Sequence, residues 1–135
     1  MDVSAVPMPQ GAGEAIAEQA LADAILHRCR GGSWQGLARE LAWRAVTGGD
    51  RDARSVETFA ARAEAMLGAS IDQALWQVER CAVATFDEFI WEHRGDEAEA
   101  LAAARLDARE EANRLLTGAC DKALDTLLAT TRRAA

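Results

Sequence analysis

Apolar residues recur at intervals of three and four from about residue 14 almost to the C-terminus, with polar residues between them. That period matches the helical turn, and no segment keeps the two-residue alternation of a half-buried strand. Residues 1–12 carry Pro7, Pro9 and Gly11 without periodicity and read as a flexible N-terminal arm. A first helix is predicted over about 14–30, with Leu21, Ile25, Leu26 and Cys29 on one side, stopping at Gly31-Gly32. Ser33 is placed to cap a second helix over about 34–47, striped by Trp34, Leu37, Ala38, Leu41 and Ala45.

Beyond Gly48-Gly49 and the charged "DRDAR", a third helix begins with Val56, Phe59, Ala60, Ala63, Met66 and Leu67. Gly68 has the character of a helix terminator, and Ser70 with Gln73 forms an S-x-x-Q capping box. These signals predict a break, with one long helix through Gly68 as the alternative. A fourth helix over about 71–94 carries Ile71, Leu75, Val78, Ala82, Phe86, Phe89, Ile90 and His93. Gly95 closes it, and Asp96 with Glu99 caps a last stretch over about 97–132, which Gly118 either breaks or merely weakens. Short loops between amphipathic helices favour antiparallel neighbours. The expected architecture is all-α: an antiparallel helical bundle of five or six helices spanning 13–132, with the arm before it and a C-terminal tail at 133–135.

Composition strengthens the helical reading, because 31 of the 135 residues are alanine, the strongest helix former. Charge changes the expected partners. With 22 acidic and 15 basic side chains the net charge is −7, which repels nucleic acid. No run approaches the roughly 18 apolar residues of a membrane span. The opening "MDVSAVPMPQGAG" lacks the basic and apolar regions of a signal peptide. Cys29, Cys81 and Cys120 are widely spaced and odd in number, which fits reduced thiols in a cytoplasmic protein.

Chemistry is sparse. The stretch "FDEFIWEHRGDE" gathers five carboxylates and a histidine, yet His93 shares its face with Phe86, Phe89 and Ile90 while Glu88 and Glu92 point elsewhere. A di-iron bundle needs Glu three residues before His, and Ile90 stands there, so no metal site is expected. Asp23 and His27 read as a solvated i, i+4 pair. Glu79 is unusual, because Leu75, Trp76, Ala82 and Val83 surround it at helical spacing. A structural ion pair with Arg109, or alternatively Arg105, would satisfy it and set helix register. No Walker A, GxGxxG, HExxH or GxSxG motif occurs, and no cofactor is implied.

Trp76 and Trp91 align with Arg80 and Arg94 on a second stripe of the fourth helix, and Trp43 lies opposite the apolar face of its own. Exposed Trp and Arg are typical of interface hot spots. The reading that follows is a non-enzymatic cytoplasmic protein, accessory, adaptor-like or assembly/export-chaperone-like. It would act by protein–protein interaction and self-associate as a homodimer, with no nucleic-acid or membrane partner. The rival is a small enzyme or ligand binder with a site between helices around Glu79 and His93, with Cys81 as a further candidate. A pocket converging on Glu79 and His93 would favour the rival, and a flat apolar patch around Trp76 and Trp91 the interface.

Overall fold

A computed structural model of the chain describes residues 7–48, 54–93 and 96–134. They form four α-helices: α1 (Ala12–Arg28), α2 (Trp34–Gly48), α3 (Arg54–His93) and α4 (Glu97–Ala134). The all-α bundle is as expected, but its five or six helices are not. The third and fourth expected helices are one, because α3 runs unbroken through Gly68 and Ser70. The last expected stretch is likewise a single helix through Gly118.

The reason for the first discrepancy is tertiary. A mid-helix glycine costs only about 1 kcal/mol, and at Gly68 the missing side chain is occupied by a neighbour. The Trp34 ring, at the start of α2, lies 3.2 Å from where a Gly68 Cβ would stand. Breaking the helix would lose that seat and several backbone hydrogen bonds. Nothing lies within 4 Å of the corresponding point at Gly118, which is simply tolerated on an exposed position.

Of the residues expected as a flexible arm, 1–6 lie outside the described set. Pro7–Gly11 turn into α1, with the Ala12 N–H donating to the Pro9 carbonyl at 3.0 Å, and Met8 packs on the core. After α1, Gly32 takes a positive φ of 69° where a side chain would be strained. The caps at Ser33 and Asp96 form as their positions suggest. Ser33 Oγ accepts from the Gly36 N–H at 3.0 Å, and Asp96 Oδ1 from the Glu99 N–H at 3.2 Å. At the other end, α4 continues to Ala134 through most of the expected tail.

At 1.5 Å per residue, α3 and α4 are each roughly 60 Å long and form an antiparallel hairpin. The shorter α1 and α2 follow one another along it and scarcely touch each other. Toward the α3–α4 turn, Gly13 of α1 sits against Val83 and Glu79. Farther along, Arg28 donates to Thr117 Oγ1 on α4. Beyond that, Trp34 meets Gly68 and Arg39 pairs with Glu57 at 2.7 Å, so α2 covers the open half of the hairpin. The Arg39–Glu57 pair is exposed and adds little beyond orientation.

The core is one cluster running the length of the bundle. Phe86, Val78, Leu67 and Val56 of α3 are fully buried, as are Leu41, Leu116 and Leu127. On α4 the seam between Ala100 and Ala112 is alanine at every fourth position (Ala100, Ala104, Ala108, Ala112), with no exposed surface at any of them. Small residues at that spacing let helix axes approach toward the lower end of the usual range, about 8 Å.

Two predictions rest on this packing. Gly118→Ala should raise stability by about 0.5–1 kcal/mol, whereas Gly68→Ala should gain clearly less or lose stability because Trp34 must shift; paired urea melts compare them. Ala108→Leu, which forces a larger side chain into the alanine seam, should cost about 1–3 kcal/mol in the same assay.

Candidate functional site

The most exposed aromatic surface among the described residues runs along α3. Trp76 is 57% exposed and Trp91 74% exposed, and both project away from the buried stripe of Val78, Ala82, Phe86 and Ile90. Fifteen residues separate them, which is about 22 Å along the helix axis. Between them on the same side stand Arg80 and Asp87, both exposed. The Arg80 guanidinium lies 4.6 Å from the centroid of the Trp76 ring, a cation–π arrangement that holds both side chains along the ridge. Arg94, expected on the same stripe, lies outside the described residues.

Trp43 is 45% exposed but belongs elsewhere. It follows Trp34 along α2 toward the open end of the hairpin, whereas Trp76 lies on the other side of Gly68. The structure therefore brings Trp76, Arg80 and Trp91 onto one ridge and leaves Trp43 apart. Trp34, the remaining tryptophan, is partly buried and serves packing.

The expected ion pair of Glu79 with Arg109 or Arg105 does not form. Among the described residues the ion pairs are Arg39–Glu57 and Arg114–Glu111. Glu79 instead lays its aliphatic stem against α1, its Cγ 3.4 Å from the Cβ position of Gly13. Arg105 and Arg109 line a groove on the other flank of α1, with Ile16, Gln19, Asp23 and Leu101. No buried side-chain oxygen or nitrogen among the described residues lacks a partner, so the half-buried Glu79 carboxylate keeps its contact with water. Facing explains the mismatch. Thr85 Oγ1 donates to Asp107 Oδ2 at 2.9 Å and Cys81 faces the Asp107 carbonyl, so Glu79 is level with about 109–113, but it meets one flank of α1 while Arg105 and Arg109 line the other.

Glu79 and His93 do not converge either. They stand on one continuous helix, about 21 Å apart along its axis. The His93 side chain lies outside the described residues. Asp23 accepts from Gln19 Nε2 at 2.9 Å, so its nearest partner is not His27. The groove holding Arg105 and Arg109 has a volume of about 360 Å³ and is lined mainly by alanine, Ile16 and Leu101. A second groove, between α3 and α4, is bordered by Ser70, Gln73, Gln77, Arg114 and Lys122. Neither is lined by Glu79. Among the described residues no three His, Cys, Asp or Glu side chains gather as metal ligands, and no helix is long and apolar enough to cross a membrane.

Cys81 sits in the α3–α4 seam, half-buried, with its thiol directed at the Asp107 carbonyl at 4.0 Å. Burial pushes its pKa up, and the nearby carboxylates Glu111 and Asp107 push in the same direction. Cys120 is also raised, by burial first. Such surroundings lower the thiolate fraction that nucleophilic catalysis needs, which counts against Cys81 as a nucleophile. This cluster of Cys81, Thr85, Asp107, Glu111 and Arg114 had no signal in the sequence, because its members come from two helices whose register depends on the whole hairpin.

Because the Cys81 pKa is raised, its thiolate fraction at neutral pH falls below that of an ordinary thiol. Alkylation of Cys81 should therefore be slower than that of a small-molecule thiol at pH 7. It should rise about tenfold per pH unit until past the normal thiol midpoint. Mass-spectrometric labelling from pH 7 to 10 measures this. Comparison with known protein families, with characterised proteins and with solved structures finds no match for this chain.

Proposed function

We propose that this protein acts through protein–protein contact, using the tryptophan ridge of α3 as its docking surface. The observation that carries the reading is the exposure of Trp76 and Trp91 on one helix face, with Arg80 stacked on Trp76. Leaving two indoles in water forgoes burial worth about 150–250 Å² each, and Trp and Arg are the residues that dominate contact energies at interfaces. The net charge of −7 supports a protein partner over nucleic acid. The absence of cofactor motifs and the separation of Glu79 from His93 favour a non-enzymatic, accessory or adaptor role in the cytoplasm over the small-enzyme alternative.

A photo-crosslinking residue introduced at Ala84, on the ridge between the tryptophans, tests this in the native cell. The same residue at Ala102, exposed on α4, is the control. Polypeptide adducts should form at position 84 and not at 102, and combining Trp76→Ala with Trp91→Ala should abolish them. Equal labelling at both positions, or none at 84, would overturn the reading.

A further inference from the structure

The order of residues along the ridge carries more than exposure. On a helical wheel Trp76, Arg80, Val83, Asp87 and Trp91 fall within an arc of about 80°, on the side of α3 away from its buried stripe. About the midpoint between Val83 and Ala84, the ridge is symmetric in shape and antisymmetric in charge. Trp76 and Trp91 lie equally far from that midpoint, and so do Arg80 and Asp87.

We infer that two copies of this chain pair through α3 in antiparallel fashion, about a two-fold axis passing between Val83 and Ala84. The inference rests on the protein-contact reading of the ridge and names the partner as a second copy. In this arrangement Trp76 of one copy faces Trp91 of the other at both ends of the seam. Arg80 faces Asp87 of the second copy, twice. The small exposed side chain of Ala84 beside the axis lets the backbones approach, with the half-buried Val83 next to it against Gly13 of α1. Two-fold interfaces are self-complementary in this way, each patch meeting its own copy.

Charge selects the direction. A parallel pairing would set Arg80 on Arg80 and Asp87 on Asp87, and like charges in an interface are strongly disfavoured. Neither residue is engaged in an ion pair within the chain among the described residues. The Arg80 guanidinium carbon lies over the Trp76 ring, a contact that does not consume its N–H donors, so they can still meet a carboxylate. The remaining helices leave the approach open: α1 packs along the flank of Glu79 and Val83 and α4 along Cys81 and Thr85, while Trp76, Arg80, Ala84, Asp87 and Trp91 stay exposed.

Size sets the strength. Four indoles of about 150–250 Å² each, roughly two-thirds exposed, contribute on the order of 500 Å² toward the roughly 1,200 Å² at which specific interfaces begin. The rest must come from the aliphatic stems and small residues of the seam, so the dimer is a reversible one that dissociates on dilution.

Sedimentation velocity of the purified full chain across a concentration series tests the pairing. The wild type should show a monomer–dimer equilibrium. Arg80→Glu alone and Asp87→Arg alone should each weaken it by about tenfold or more. The two substitutions together should restore it, because they exchange the charges without removing the pair. Both positions are exposed, so each variant should keep its helicity, which circular dichroism checks. A wild type that stays monomeric throughout, or a double variant no tighter than either single one, would overturn the pairing. In either case adducts at position 84 to a different polypeptide would leave the protein-contact reading standing, whereas loss of those adducts would take both down.

Discussion

Close packing through alanine is the constraint on which the rest of this structure depends. Along the turn-proximal half of α4, every fourth residue from Ala100 to Ala112 is an alanine without exposed surface. Large side chains at those positions would hold the helices apart. With methyl groups there, Phe86, Val78 and Ile90 of α3 supply most of the bulk, and the two helices form a long hairpin without large residues on both sides. The modest apolar content of the chain thus suffices because one partner is large and the other small, the alternation that fills a core at native density. Beyond Ala112 the seam changes character: Leu116, Cys120, Ala123 and Leu127, all buried, follow on α4.

That geometry also decides what remains uncovered. Only α1 and α2 accompany the hairpin, and together they have about the length of α3, so each point along the bundle has roughly three helices in cross-section. A helix in such a cross-section buries one broad face and presents the other to water. On α3 the exposed face happens to carry Trp76, Arg80, Asp87 and Trp91, where solvent-facing positions are ordinarily polar. The same layout disperses the groups that catalysis would need to gather. Glu79 is turned toward α1, Cys81 is held in the α3–α4 seam beside carboxylates, and Arg105 and Arg109 face α1 from its other flank.

Much of this was legible in residue order. The helical class, the positions of Ser33 and Asp96 as caps, and the stripes of Leu37, Leu41, Val78 and Phe86 follow from local propensity and period, which do not depend on distant parts of the chain. The outward placement of Trp76 and Trp91 follows from the same wheel. Helix count did not follow, because Gly68 carries local signals of termination while its neighbour Trp34 lies 34 positions away in sequence. The partner of Glu79 did not follow either. Its surroundings on its own helix are apolar, as the spacing predicts, but only the packed bundle sets Glu79 and Arg109 on different flanks of α1.

What the sequence determined alone is therefore what repeats within a turn or two of helix: which segments coil, where they are capped, and which face of each is apolar. Tertiary structure decided which faces met. It kept α3 continuous by seating an indole on a glycine, gave Glu79 a helix to lie against in place of an arginine, and left two tryptophans of α3 largely exposed. The physical reason is range. Backbone hydrogen bonds and caps act over a few residues, whereas burial and close packing reward contacts between segments far apart in sequence, and at Gly68 and Glu79 the long-range term was the larger.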